Sequence, residues 1–218
     1  MRNFNESGRS MVEMLGVLAI IGVLSAGGLA GYSKAMFKHK LNTTMDQITM
    51  LVTNIRTMYG TQKSYADLDN DQAFKLGIIP PAIATALGGP YRNPFKGNVV
   101  ISGKTAKARS TAPVGTAFIV QYTGLPTEAC IALATADFGS GAGSGFIGVT
   151  VDDVDTPKIG EGDNDPTDIA IYIGDGAGKT ADGATAATKL RGEGEAYQMS
   201  AAITACSGAT NNITWKFY

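Results

Sequence analysis

One carboxylate, Glu13, stands near the start of an apolar run that covers residues 8–32. From Met14 to Tyr32 no charged residue occurs, and these nineteen positions make about 28 Å of α-helix, close to the ~30 Å hydrocarbon thickness of a bilayer. A carboxylate in lipid or in a packed apolar bundle is costly unless a cation neutralises it. A cut after Gly8 would create such a cation, a new amino group on Arg9. The pattern favours a helix that is stored in a membrane and later packs beside copies of itself.

Other residue patterns give little support for catalysis or for a bound cofactor. The single histidine, His39, argues against a Ser-His-Asp or Cys-His arrangement, and with two distant cysteines it makes a poor zinc site. Residues 174–180 (GDGAGKT) resemble a phosphate loop but have three residues between the outer glycines where the motif needs four. We therefore predict that the chain is not an enzyme and has no catalytic residue, no metal site and no cofactor.

Two groups of aspartates raise the question of calcium binding. Residues 67–71 (DLDND) have EF-hand spacing, but Gln72 stands where the loop needs glycine and Ile78 where it needs the closing glutamate. The stretch from Asp152 to Asp168 contains more carboxylates. Because aspartate in loops is usually a turn former, the sequence leaves calcium binding in this stretch open.

A long helix must position Glu13. After the basic cluster 34–40, six apolar residues recur at alternating steps of four and three, and no proline precedes Pro80. The sequence thus predicts one helix from about Met11 to about Tyr59, apolar all round in its first half and on one side in its second half. The stripe consists of Leu41, Met45, Ile48, Val52, Ile55 and Tyr59.

The composition of the remaining ~160 residues predicts one α+β domain. The 28 glycines of the chain favour short strands and long turns, and the net charge of −1 gives no overall basic field that would recruit nucleic acid. We predict a long helix packed on a mostly antiparallel β-sheet that the last strand closes. The expected helices are Asp71–Leu76, Pro126–Ala136 and Ala196–Ala205, and the expected strands are Val99–Ser102, Ala117–Tyr122, Ile147–Val151, Ile169–Ile173 and Ile213–Phe217.

The N-terminal residues also resemble a known family. Residues 8–22 (GRSMVEMLGVLAIIG) are similar to the type IV prepilin signature, in which a glycine precedes the cut and a glutamate is the fifth residue of the mature chain. Two later segments, FIVQYTGLPTEACIALA and CSGATNNITWKFY, look like the globular half of the type IVb pilins. The resemblance implies the pilin fold and a structural protein, the major subunit of a type IV pilus (fimbrium).

Applied to this chain, the resemblance implies four regions and a processing step. The regions are a leader (1–8), a hydrophobic membrane and filament-core helix (9–32), an amphipathic helix (33–60) and a globular head (61–218). A prepilin peptidase would cut between Gly8 and Arg9, usually with methylation of the new amino group, and Glu13 would be the assembly carboxylate. The implied partners are sister copies in a helical homopolymer, the peptidase, and the inner-membrane pilus assembly machinery. The chain would lie in the bacterial inner membrane before assembly and in the extracellular pilus afterwards.

The two cysteines, Cys130 and Cys206, lie in the part of the chain that the resemblance places outside the cell. A disulfide between them would close a loop of 76 positions and contribute roughly 4 kcal/mol in the chain-entropy model. Oxidising compartments favour such a bond, so we expect the pair to be joined. Two buried thiols in a cytosolic protein are the alternative.

Three alternatives to this reading stay open on sequence alone. The same helix would suit a minor pilin or a secretion pseudopilin. An exported enzyme or binding domain on a membrane anchor should keep residues 1–8 or be cut near Ser25–Gly31. The lysines that follow the apolar run mildly favour the opposite membrane orientation by the positive-inside rule, but the prepilin resemblance and the two cysteines outweigh this count.

Overall fold

The computed structural model describes residues 11–109, 111–139, 144–153, 188–192 and 199–218. The chain divides into two compact units, residues 1–40 and residues 41–218. Within the described residues the helices are α1 (Met11–Tyr59), α2 (Asn70–Lys75), α3 (Thr127–Ala134) and α4 (Met199–Ala205). The strands are β1 (Val99–Ser102), β2 (Phe118–Leu125), β3 (Phe146–Asp153), β4 (Thr188–Gly192) and β5 (Asn211–Phe217).

Helix α1 is described from Met11, the first described residue, and ends at Tyr59, where the apolar periodicity predicts. Ile48, Val52, Ile55 and Tyr59 are buried, whereas Leu41 and Met45 are half-buried. The buried face also includes a leucine and two polar residues outside the predicted stripe, which are Leu51, Thr44 and Gln47. The face is wider than a line of alternating four- and three-residue steps, because a helix face that packs on a sheet spans 100° or more.

The β-sheet has five strands in the order β1-β2-β5-β3-β4, and its strand pairs are antiparallel. The last strand, β5, therefore lies between β2 and β3 in the centre of the sheet, whereas the sequence predicted that it would close the sheet. All seven residues of β5 are buried. Ile213, Trp215 and Phe217 join the core cluster that contains the α1 residues Ile48 and Ile55. The alternate residues Asn212, Thr214 and Lys216 are buried as well, so both faces of β5 are covered.

Strand β4 is absent from the sequence-based prediction. Its five residues, TKLRG, contain a single apolar side chain and so give no alternating pattern. The strand is defined by its pairing with β3, which a local pattern does not encode. The predicted strand Ile169–Ile173 lies outside the described residues. The predicted last helix is observed as Met199–Ala205, and its first three predicted residues, 196–198, also lie outside the described residues.

The Asn70 side chain covers the edge of the sheet at β1. Its Nδ2 donates to the Val99 carbonyl oxygen at 2.9 Å, and its Oδ1 accepts from the Ile101 amide nitrogen at 2.7 Å. One side-chain amide thus makes the two hydrogen bonds that another strand would make at this position. An edge protected in this way is a poor template for strand addition.

A tight contact near Gly145 gives a stability prediction. Gly145 has φ of +65°, and a Cβ there would lie 2.7 Å from the Tyr218 carbonyl oxygen and would overlap the Arg56 guanidinium, which donates to that oxygen at 3.0 Å. We expect Gly145→Ala to lower the free energy of unfolding by about 2 kcal/mol more than Gly77→Ala. Gly77 is the matched control, because it has φ of +71° but open space around its Cβ position. Equal losses in urea denaturation would contradict the steric explanation.

Candidate functional site

The described part of the first unit is the apolar half of α1, and its side chains are exposed. Every residue from Met11 to Met36 is exposed, including Val23 at 75% and Leu29 at 68%. By length and composition α1 is apolar enough to cross a membrane, and its most apolar stretch is not buried in the described structure. Such a surface is stable only when lipid or other protein covers it.

Glu13 lies in the first turn of α1 and is the one carboxylate among the described residues 11–36. A carboxylate is modestly favoured in a first turn because it interacts with the partial positive charge of the helix N-terminus. Gly8 and Arg9, the predicted cleavage pair, lie outside the described residues. Their role, and the pairing of Glu13 with a new amino group, stay predictions.

The glycines of the apolar segment are not required by contacts within the described structure. A Cβ added at Gly16, Gly22, Gly27, Gly28 or Gly31 would meet nothing within 4 Å. Glycine in a helix interior lowers the stability of the helix by about 1 kcal/mol relative to alanine. No contact within the described structure offsets this cost. Small residues let helix backbones approach closely when a second helix packs against them.

The structure joins Cys130 and Cys206 in a disulfide, which confirms the predicted pairing. The Cα atoms lie 5.9 Å apart, and both cysteines are fully buried. The bond connects α3 to the residue that follows α4. Beside it, the Thr127 hydroxyl donates to the Gly208 carbonyl oxygen at 2.9 Å, so a hydrogen bond joins the same two segments.

The aspartates at 67–71 have separate structural partners. Asp69 caps α2 by accepting from the Gln72 amide at 2.8 Å, and its Oδ2 lies 3.6 Å from Lys104 Nζ. Asp71 accepts from the Tyr91 hydroxyl at 2.8 Å. Among the described residues no group of three or more histidine, cysteine, aspartate or glutamate side chains could hold a metal ion. The helix cap at Asp69 and the hydrogen bond from Tyr91 to Asp71 therefore account for the spacing of these aspartates.

Two buried tyrosines next to these aspartates predict a loss of stability in alkali. Burial, together with Asp67, raises the pKa of Tyr59 to about 12, and burial with the hydrogen bond to Asp71 raises the pKa of Tyr91 to about 12. From pH ~10 to ~12 the unfolded chain loses these protons while the folded chain keeps them, so unfolding becomes more favourable as the pH rises. Each tyrosine should contribute a slope of about −1.4 kcal/mol per pH unit.

Urea denaturation between pH 8 and pH 12 measures this slope. The Tyr59→Phe, Tyr91→Phe double variant should lose stability less steeply than the wild type above pH 10, whereas below pH 9 the two curves should run parallel. Parallel curves over the whole range would contradict the assignment.

The other sequence candidates are placed as follows. His39 lies on α1 with an exposed side chain. The phosphate-loop-like residues 174–180 lie outside the described residues, and so does most of the stretch 152–168, whose first two residues end β3.

One contact at the end of α1 was not singled out from the sequence. The Arg56 guanidinium lies 5.9 Å from the Phe217 ring centroid and donates to the Tyr218 carbonyl oxygen. A single arginine on a helix gives no signal for a partner 162 positions away.

Comparison with known proteins identifies the family. The PilS family model, described as PilS N terminal, matches residues 38–217. The chain belongs to the PilS family of type IV pilins. The match covers the second half of α1 and the globular residues, so it is independent of the N-terminal motif at residues 8–22. Pilins are structural subunits and not enzymes, which confirms the prediction for this chain.

Two curated relatives and two solved structures are similar to this pilin. Over 137 residues it is 26% identical to the major structural subunit of bundle-forming pilus from two Escherichia coli strains, O127:H6 and O111:H-, covering 63% of this chain and 68% of each relative. TcpA, a type IV pilin from Vibrio cholerae El Tor biotype, has a TM-score of 0.48 at 18% identity, covering 83% of this chain and 99% of that one. A type IV b pilin from Salmonella typhi has a TM-score of 0.43 at 17% identity, covering 80% and 97%.

Proposed function

We propose that this pilin is the major subunit of a type IV pilus, stored in the inner membrane and polymerised into an extracellular filament through α1. The observation that carries the proposal is the charge-free surface from Met14 to Tyr32, which the described structure leaves exposed. Lipid can cover this surface before assembly, and the same surface of sister subunits can cover it afterwards. The glycines without intramolecular contacts support close packing of neighbouring helices.

The assembly step assigns a role to Glu13. Cleavage between Gly8 and Arg9 by a prepilin peptidase would leave Glu13 as the fifth residue and expose a cationic amino group. A Glu13 carboxylate that meets the amino group of a neighbour displaced along the bundle is neutralised, and a subunit at a wrong spacing leaves both charges buried and unpaired. Such a mismatch costs several kcal/mol, so the pair would fix the spacing between subunits.

The curated relatives favour the major subunit over the minor pilin and the pseudopilin, because both are named as major structural subunits of a pilus. The copy number of the protein in sheared surface filaments separates these roles. A major subunit should account for most of the protein in that fraction, whereas a tip or piston subunit should be rare there.

N-terminal sequencing of the mature chain tests the proposal directly. The expected first residue is Arg9, with a methylated amino group. A Gly8→Leu variant should remain uncut and should yield no filaments, and Gly16→Leu is the matched control because a side chain at position 16 meets open space and should leave the cut intact. A mature chain that keeps residues 1–8, or that begins near Ser25–Gly31, would support the anchored enzyme or binding domain and overturn the filament assignment.

A further inference from the structure

Two lysines follow the apolar run of α1 within two helical turns. Tyr32 ends the run, and Lys34 and Lys38 come next on the same helix, four positions apart. Residues four positions apart in an α-helix lie on one face, so both ammonium groups extend from the same side of α1. We call Lys34 and Lys38 the lysine pair.

The lysine pair is exposed and has no counter-charge nearby on the helix. Neither lysine forms an ion pair with a carboxylate of the described residues. The sequence contains no aspartate or glutamate between Glu13 and Asp46, so no carboxylate lies one turn away on either side. Like charges four positions apart weaken a helix, and a bound anion relieves their repulsion.

The position of the lysine pair along α1 indicates which anion it meets. Lys34 follows Glu13 by 21 positions, which is about 32 Å of helix and close to the ~30 Å hydrocarbon thickness of a bilayer. When lipid covers the run between them, Glu13 lies at one membrane surface and Lys34 at the other. A lysine at the end of a membrane helix extends its ammonium group into the headgroup layer, which contains the lipid phosphates.

Tyr32 supports this placement of the membrane surface. It is the one aromatic residue between Met11 and Met36, and its side chain is 63% exposed. Tyrosine is enriched where membrane helices leave the hydrocarbon, because its ring is apolar and its hydroxyl is polar. We propose that the lysine pair binds the phosphate groups of anionic lipids at the outer surface of the inner membrane before assembly. The inference rests on the proposed function, because only a membrane-stored pilin brings these lysines to the headgroups.

Binding of phosphate at this end of the run would fix the depth of α1 in the membrane. Residues 35–37 (AMF) are apolar, so without cations at positions 34 and 38 the helix would move further into the hydrocarbon. The same movement would carry Glu13 away from the inner surface of the membrane. The lysine pair would therefore keep the assembly carboxylate at a constant depth in the stored subunit.

The preference of the full-length chain for an anionic lipid tests the proposal. The chain is reconstituted in phosphatidylcholine vesicles with a trace of spin-labelled phosphatidylglycerol or phosphatidylcholine, and electron spin resonance gives the relative association of the two lipids. The wild type should prefer phosphatidylglycerol about fivefold or more, since each lysine near an anionic surface strengthens binding about fivefold. High salt should weaken this preference, because it screens exposed charges.

Three double variants make this result specific to the lysine pair. Lys34→Gln, Lys38→Gln should associate with the two lipids about equally, whereas Lys34→Arg, Lys38→Arg keeps both charges and should keep the preference. Lys63→Gln, Lys75→Gln is the matched control, because it removes two exposed lysines of the second unit and should behave as the wild type does.

Labelling of an added cysteine measures the depth of the helix. Because Cys130 and Cys206 are joined in a disulfide, a membrane-impermeant maleimide reacts only with the new thiol of Ser33→Cys. Labelling should be about threefold slower or more when Lys34→Gln and Lys38→Gln are also present, since position 33 then lies deeper in the membrane.

The possible failures of these measurements are distinguishable. Equal association of the two lipids with the inserted wild type would overturn the inference and leave the filament role intact. A lysine-pair variant that keeps the lipid preference but yields no filaments would also overturn it, and would assign the lysines to an acidic neighbour in the filament. A wild type that alkaline carbonate washes off the vesicles is not inserted, which would count against the proposed function itself.

Discussion

Replacing Glu13 by valine is expected to abolish filaments while the pilin is still processed and inserted in the membrane. The substitution leaves the apolar surface of α1 intact, so lipid can still hold the helix. In the filament, the amino group of a neighbouring subunit would then be buried without its counter-charge, at a cost of several kcal/mol for each subunit. The measurement is the amount of pilin in sheared filaments, compared with the amount in the membrane fraction and with the mature N-terminal residue.

Two further variants make this result specific to the charge at position 13. Glu13→Gln keeps the size of the side chain but not its charge and should also fail to assemble. Asp46→Val removes an exposed carboxylate from the same helix, outside the apolar run, and should give close to the wild-type yield. Wild-type filament yield from Glu13→Val would remove the assembly role and leave the carboxylate as a residue that reaches the headgroup region.

Loss of the disulfide is expected to have the largest effect on the stability of the head. The Cys130–Cys206 bond closes a loop with a sequence separation of 76, so Cys130→Ser should lower the free energy of unfolding by about 4 kcal/mol. Because Trp215 is the single tryptophan of the chain and is fully buried, its fluorescence reports unfolding of the core in urea. The full-length chain in detergent micelles is the sample, since α1 exposes an apolar surface.

Reducing agent provides the matched control for this measurement. It should lower the stability of the wild type by about 4 kcal/mol, toward that of a Cys130→Ala, Cys206→Ala variant, and should leave the variant unchanged. The double alanine variant has no lone thiol, so its loss of stability measures the crosslink and the packing of the two sulfur atoms. A variant within about 1 kcal/mol of the oxidised wild type would show that the bond contributes little beyond the packing around α3 and α4.

The features determined by the sequence alone are local or forced by composition. Helix α1 runs without a break from Met11, the first described residue, to its predicted end at Tyr59, because an apolar period near 3.6 and the absence of proline before Pro80 are properties of one continuous segment. Strand β1 also matches its prediction, since the turn residues of PYRNPFKGN end just before it. With two cysteines in the chain, a single intramolecular pairing was possible. Glu13 could be identified from the sequence because a single charged residue in a long apolar run is recognised without knowledge of the tertiary structure.

The tertiary structure alone decided which distant segments meet. The central position of β5, the existence of β4, the pairing of Asn70 with the edge of β1 and the contact of Arg56 with Tyr218 all join residues far apart in sequence. Antiparallel strands are joined by hydrogen bonds between backbones, and every residue type except proline offers the same donor and acceptor, so a strand's own side chains do not specify its partner. Burial of apolar side chains in one shared core selects among the possible pairings, and that selection depends on the whole chain at once.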